Sequence, residues 1–324
     1  MKYEFDFYKE EYYDDIEKLI LASYRWEAPA FGISRFSFSH GLHPKFCGIT
    51  NAWQKSCAVY KENGAVVAAV MNEGNDCGDA FFLFDSEDRT ADEELLYEMI
   101  AFAKMYASTV DQENDNLRFS GIMVPSWNKT LRDCVTEKGY LKEDYTEKAK
   151  IKPFGMETLP VVLPEGYSFA DGNDSPAIFR AMVHANSFSY GLQKGAHKED
   201  AFEELRKEKN YDPDLDLIIL DAQKRPVAMA IIWVNSQMRY CELEPLGVVW
   251  WERRKGLASA ILNEATNRVK KKYKNCSGML GGDQPFYTTC GYETVGVSEA
   301  YRWEAQIFPS WDERSKDMKY GQSI

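Results

Sequence analysis

Apolar and polar positions along the chain follow two rhythms, and the changes between them predict a succession of strands and helices. Period-two alternation or short apolar runs predict strands at Tyr3–Phe7, Ser56–Tyr60, Ala65–Met71, Ala80–Phe84 and Leu117–Val124. Spacings of three and four predict helices over Asp14–Tyr24, Asp92–Tyr106 and Asn128–Lys138. Asn63-Gly64 lies between two apolar runs and marks a hairpin, because both residues tolerate positive φ. The stretch Trp26–Trp53 shows no period and reads as a loop. Pro153, Gly155, Pro160, Pro164 and Gly166 crowd one short span, which reads as a linker.

Beyond that span the order recurs. A strand at Tyr167–Phe169 precedes helices at Ala177–Asn186 and Glu199–Lys209. A hairpin joins Leu217–Leu220 to Val227–Val234, and a strand follows within Met238–Val249. Then come a helix over Leu257–Lys272, a strand at Ser277–Leu280, a short helix near Pro285–Cys290 and strands around Glu293–Gln306. Each half runs strand, helix, loop, hairpin, strand, helix, strand, short helix, Gly-Tyr, strand, so the chain reads as a divergent tandem repeat. The expected boundaries are an N-terminal domain 1–155, a linker 156–165, a C-terminal domain 166–308 and a polar tail 309–324.

Candidate chemistry concentrates in the second half. The apolar run Leu243–Trp250 leads into Arg253-Arg254-Lys255-Gly256-Leu257-Ala258, where the helical pattern starts. A helix N-terminus carries unpaired N–H groups and the positive end of the dipole, and so attracts anions. Gly256 lets the backbone approach a phosphate, Ala258 keeps the next turn clear, and three cations add charge. The set suits a pyrophosphate. The matching stretch of the first half, Ser86–Glu93, has no glycine and is acidic, so it should repel one.

The pattern Arg-x-x-Gly-x-Ala resembles the acyl-CoA-binding loop of the GNAT superfamily of N-acetyltransferases. Downstream, Gly281-Gly282-Asp283-Gln284-Pro285-Phe286-Tyr287-Thr288-Thr289-Cys290-Gly291-Tyr292 resembles that family's second motif, a short helix bearing Phe-Tyr and ending in Gly-Tyr. Trp250 stands where the family often has proline, and Gly282-Asp283-Gln284 where it often has asparagine. The resemblance implies an α/β (α+β) fold of two GNAT-like domains, each a mixed, mostly antiparallel twisted sheet flanked by helices. It also implies acetyl-CoA as co-substrate, its pyrophosphate held by Arg253, Arg254, Lys255, Gly256, Leu257 and Ala258.

Pro245 marks an edge or a bulge, and the resemblance implies a bulge there that splays the strand and leaves Gly247 and Val248 to the pantetheine and the thioester carbonyl. Gln284 offers an amide to the pantetheine, with Phe286 on the same side. Tyr287 matches the family tyrosine that protonates the departing thiolate, and the first half lacks its counterpart. Glu242 and Glu244 lie two apart, on one face of an extended strand, and either can relay a proton from the amine. The resemblance aligns Glu242 with a frequent general-base position and puts Glu244 one pleat nearer the loop, and the pattern does not choose between them.

Composition narrows the partners. A net charge of −12 and a pI near 5.0 count against nucleic acid or an anionic membrane, and suit a cationic acceptor. No apolar run is long enough to span a bilayer and Met1–Glu11 has no signal-peptide core, so a cytoplasmic protein is expected. The seven cysteines are scattered with no C-x-x-C pair, and His40 and His43 have no further ligand at a metal spacing. Neither disulfides nor a metal is expected. The activity expected is acetyl transfer to the primary amine of a small cationic molecule, by a monomer or homodimer. A non-catalytic acyl-CoA-binding regulator would keep Gly256 and the cations but need neither Tyr287 nor a carboxylate. An aminoacyl-tRNA-dependent ligase of tandem type would need no CoA loop and a more basic surface.

Overall fold

A computed structural model of the chain describes residues 2–42, 52–74, 78–111, 113–188 and 199–307. The first half contains β1 (Glu4–Phe7), α1 (Tyr13–Ser23), α2 (Ile33–Leu42), α3 (Ala52–Lys55), β2 (Ala58–Glu62), β3 (Ala65–Met71) and β4 (Asp79–Phe84). It continues through α4 (Glu93–Tyr106), β5 (Thr109–Val110), β6 (Leu117–Pro125), α5 (Lys129–Glu137) and β7 (Leu141–Pro153). The second half contains β8 (Ser168–Ala170), α6 (Ala177–Phe188), α7 (Glu199–Leu205), β9 (Asp216–Leu220), β10 (Pro226–Trp233) and β11 (Cys241–Val248). It ends with α8 (Leu257–Lys272), β12 (Gly278–Gly281), α9 (Pro285–Thr289) and β13 (Glu293–Gln306).

Local chemistry sets many of these boundaries. Asn63 and Gly64 turn the β2–β3 hairpin with φ of 53° and 80°. The Asp92 carboxylate caps α4 by accepting the Leu95 N–H at 3.2 Å, and the Asn128 side chain caps α5 by accepting that of Leu131 at 2.9 Å. Every residue of β10 is buried, because helices cover both faces of the sheet there.

The strands form one thirteen-stranded sheet flanked by helices, in the order β1-β2-β3-β4-β6-β13-β7-β12-β11-β10-β9-β8, with β5 beside β6. The architecture is a mixed α/β fold with a mostly antiparallel sheet. Its two parallel ladders, β4·β6 and β11·β12, have two rungs each. Strand β13 lies between β6 and β7, while β7 lies between β13 and β12. Each half therefore sends its last strand into the sheet of the other. The cores are shared as well: one buried cluster runs from Ile16, Phe31 and Phe36 to Trp233, Tyr287 and Tyr292. A second cluster fills the space between α4, α5 and the first half's strands.

The stretch Trp26–Trp53, read from sequence as a loop, contains α2 and the start of α3, with 43–51 outside the described residues. The helix carries no apolar stripe because it is wedged between halves. It packs against α1 on one side and α7, β10 and β11 on others, so Ser37 and Ser39 are buried alongside Ile33 and Phe36.

The exchange of β7 and β13 gives a test. Residues 154–167 have no regular structure, and Met156 is 98 % exposed. A protease site inserted there should be cut with the two fragments still co-eluting from a sizing column under native conditions. Fragments that part without denaturant would contradict the exchanged pairing.

Candidate functional site

The site is built on β11. Ladder register between β10 and β11 shifts at Ala230/Ile232, so Glu244 and Pro245 bulge opposite Ile231. The indole N–H of buried Trp233 donates to the Glu244 carbonyl at 2.7 Å and fixes the bulge. The Glu244–Pro245 peptide is cis. On its other side β11 pairs with β12 only at Cys241↔Met279 and Glu242↔Leu280, and then the strands part. Backbone that would have paired is left facing a gap.

Two cavities occupy that gap. The larger, about 750 Å³, is walled by Gly247 and Val248 of β11, by Arg253, Arg254, Gly256, Leu257 and Ala258 of the next turn, and by Gln284, Phe286 and Tyr287 around α9. Lys255 is absent from this wall: its ammonium lies 2.8 Å from Glu252 and 3.4 Å from the Tyr167 hydroxyl. Arg253 reaches the Ser187 carbonyl at 2.7 Å and the Val248 carbonyl at 3.3 Å, tying the turn to α6 and β11.

Gly256 caps α8 in the left-handed region (φ 81°), with no side chain occupying the first N–H groups of the helix. Nothing lies within 4 Å of where its Cβ would be. This helix end opens on the cavity and can receive an anion. The corresponding end of α4 in the first half is taken by the Asp92 carboxylate. A phosphate there would meet a negative charge already seated.

The second cavity, about 500 Å³, lies on the opposite side of the bulge. The first half supplies most of its wall, through residues 28–39 around the start of α2, Glu73 and the Glu147–Ala149 stretch of β7. The second half adds Glu242, Glu244, Gly282 and Asp283. Glu244 and Gly282 belong to both cavities, which meet there.

The two candidate carboxylates differ in surroundings. Glu242 is 1 % exposed, and its oxygens accept the Tyr24 hydroxyl and, at 2.6 Å, the Ser34 N–H. It does not line the larger cavity. Glu244 faces the solvent in both cavities, and its carboxylate makes no hydrogen bond among the described residues. Protein nevertheless surrounds it: desolvation lifts its carboxyl to about 7, against a partial counter-effect of Arg35 and with further help from Glu73, Glu147 and Glu242.

Arg35 and Lys148, the cations that line the second cavity, are engaged. Arg35 lies 2.6 Å from Glu73 and 3.0 Å from Glu147 and also donates to the Ala30 carbonyl, while Lys148 and buried Lys150 flank Asp283 at 3.7 Å and 3.0 Å.

Tyr287 is buried, its ring against Gly281 and Gly282; a Cβ on Gly281 would come within 2.7 Å of it. Burial, reinforced by the nearby Glu244 charge, raises its phenol above the usual tyrosine range and keeps it protonated. Among the described residues no group of three metal-capable side chains gathers, and no helix is long and apolar enough to cross a membrane. His40 lies between Glu208 and Glu10, at 2.8 Å and 2.9 Å; His43 is outside the described residues. The sequence offers the stretches Trp26–Trp53 and Ser187–Lys198 as walls of a substrate cleft: residues of 28–39 line the second cavity, Ser187 and Phe188 line the larger one, and 189–198 are outside the described residues. Sequence reasoning missed Tyr24, Glu73 and Glu147, and within Trp26–Trp53, which it placed at the substrate cleft, it singled out none of Gly32, Ser34 and Arg35; no local motif marks any of them.

The sequence matches no protein-family model, and no curated protein matches it. The structure is similar to a GCN5-related N-acetyltransferase from Sphaerobacter thermophilus, with a TM-score of 0.59 at 11% identity over 94% of this chain and 96% of that one. A tandem GNAT protein from the clavulanic acid biosynthesis pathway gives 0.59 at 14% identity, over 95% and 99%. A GNAT-family acetyltransferase from Colwellia psychrerythraea gives 0.54 at 11%, over 93% and 99%. The chain has the GNAT fold, in its tandem form.

The state of Glu244 can be measured through stability. A carboxyl whose value is higher folded than unfolded binds more protons when folded, so stability falls as pH rises from about 4.5 to about 7. Glu244→Gln should therefore leave the Tm unchanged at pH 4 and raise it at pH 8 in calorimetric scans. Equal Tm values at both pH would mean that the carboxyl ionises as easily folded as unfolded.

Proposed function

We propose that the chain is an N-acetyltransferase that moves the acetyl group of acetyl-CoA to the primary amine of a small cationic molecule. One observation carries this reading: a cavity with a glycine-capped helix end and a protonated phenol, Tyr287, in its wall meets a second cavity at Glu244, a carboxylate with no hydrogen bond among the described residues. A non-catalytic acyl-CoA sensor would have no use for the second cavity.

The larger cavity takes the co-substrate. The uncapped N–H groups at Gly256–Ser259, with Arg253 and Arg254 on the same wall, hold the pyrophosphate. Pantetheine lies along Leu246–Val248, where β11 has left β12, and Gln284 and Phe286 close the opposite side. The acceptor enters the second cavity. Its ammonium is drawn to Glu244, since Arg35, Lys148 and Lys150 already face carboxylates.

Glu244, poised near 7, takes a proton from the ammonium; the free amine attacks the thioester carbonyl. Backbone N–H groups of the splayed strand receive the oxyanion. Glu244 passes the ammonium proton to water in the cavity and takes the second one from the nitrogen of the tetrahedral intermediate. As the intermediate collapses the C–S bond breaks, and Tyr287 gives its proton to the thiolate and regains one from solvent through the open cavity. Products are the N-acetylated amine and free CoA.

Steady-state kinetics on an amine panel, read by release of free CoA, test the assignment. Tyr287→Phe removes one hydroxyl and little volume, so acetyl-CoA affinity should hold while kcat falls about 10²–10⁴-fold. Glu244→Gln should lower kcat similarly and abolish its rise with pH near 7. Full activity of both variants on a confirmed amine would remove this mechanism.

Stoichiometry provides a separate check. With Asp92 seated at the end of α4 and Gly256 at the end of α8, calorimetric titration should give one acetyl-CoA per chain. Gly256→Val, which forces a β-branched residue to φ 81° and fills the open space, should weaken that binding at least tenfold. Two bound molecules per chain would mean that the first half binds the co-substrate as well.

A further inference from the structure

We propose that Glu242 is a positioning residue: its carboxylate clamps the first-half segment 28–39 against the reaction strand, and through that segment decides how tightly the acceptor is bound. The inference rests on the N-acetyltransferase reading with Glu244 as base, and it gives the other carboxylate of the pair a separate task.

The clamp is visible in three hydrogen bonds. Glu242 accepts the hydroxyl of Tyr24, at the end of α1, and the Ser34 N–H in the first turn of α2 at 2.6 Å. The Tyr24 oxygen in turn accepts the Ile33 N–H at 3.2 Å. Two first-turn N–H groups of a ten-residue helix are thus satisfied by groups outside the helix, one of them from the other half of the chain. A carboxylate at that end also meets the positive end of the dipole. Gly32 completes the fit, since a Cβ there would overlap the Glu242 carboxylate. Burial and the adjacent Glu242 hold the Tyr24 phenol well above its usual range, so it stays a donor.

What the clamp positions is the acceptor wall. Immediately after the clamped turn, α2 presents Ser34, Arg35, Phe38 and Ser39 to the second cavity. Arg35 spans from α2 to Glu73 and Glu147 and fixes the far side of the same wall. Glu242 has both oxygens engaged and lies off the larger cavity, so it is poorly placed to take a proton from an attacking amine. Without the clamp the turn at Gly32–Arg35 is free to shift, and the acceptor loses one wall while the co-substrate keeps all of its own.

The test compares Glu242→Gln with wild type, using 1,4-diaminobutane or benzylamine as probe, whichever wild type acetylates faster. Gln keeps the shape but cannot accept both donors. A charge-assisted contact is lost, so the acceptor KM should rise about tenfold to hundredfold. The kcat should stay within about threefold, its pH dependence near 7 should persist, and acetyl-CoA affinity should not change. Hydrogen–deuterium exchange of the peptide spanning α2 should accelerate.

Gly32→Ala keeps the carboxylate and displaces it, and should reproduce the KM shift and the faster exchange. This second variant covers the case in which Glu242→Gln fails to fold. A fall in kcat of about 10²–10⁴-fold with loss of the pH dependence would make Glu242 the base and overturn the proposal. Unchanged KM with unchanged exchange would overturn it too. The exchange measurement needs no acceptor: faster exchange in both variants, with no amine acetylated even by wild type, would sink the acetyltransferase reading and leave the clamp standing.

Discussion

Everything at this site depends on one broken ladder. Strand β11 holds β12 for two rungs and then leaves it, because Glu244 and Pro245 insert a bulge on the opposite edge that Trp233 locks in place. An unpaired strand inside a sheet is costly unless something else satisfies its backbone. Here the gap is space for an extended ligand that can supply those bonds. The same departure places Glu244 where the two cavities meet, surrounded by protein and facing water on both sides. Its raised pKa follows from that placement: the carboxyl loses solvation, which together with three more carboxylates near it outweighs Arg35, and it makes no hydrogen bond among the described residues.

The part of the site visible in the sequence is the part made by local rules. A left-handed glycine before a helix, cations in the preceding turn and a 3.6 period after it span twenty residues, and α8 begins and ends where that pattern does. The Pro285–Thr289 turn, closed by Gly291 at φ 87°, is equally local. The choice between Glu242 and Glu244 was not legible, because what separates them is distant in sequence. Tyr24 and Ser34 are more than two hundred residues from Glu242, and nothing around them spells a motif. Helix α2 escaped for a related reason: a helix buried on several sides needs no stripe, and its serines hid it.

The repeat itself was legible as element order, but the exchange of β7 and β13 was not. Periodicity reports which residues face inward and is silent about which neighbour a strand chooses. The exchange explains how a first half without a phosphate cradle remains indispensable to the site. It brings Glu147 of β7 opposite Ser298 of β13, and with α2 that strand walls the second cavity. Strand β11 and the cavity wall opposite it thus come from different halves of one sheet.

The two helix ends show how little separates the halves in kind. At α8 the N-cap is a glycine, which exposes its N–H groups to a ligand; at α4 it is an aspartate, which fills the same role from within the chain. The internal carboxylate confers stability on its helix, typically about 1 kcal/mol, whether or not a ligand is present. The glycine leaves that interaction to be made by a phosphate. Lys2 and the Tyr3 hydroxyl reach the Asp92 carboxylate at 2.7 Å and 2.6 Å, so the capped end is also joined to the N-terminal strand. Restoring a phosphate cradle to the first half would take more than a glycine at position 92. It would strip a buried tyrosine and a lysine of their partner, so the end of α4 is held by the structure around it.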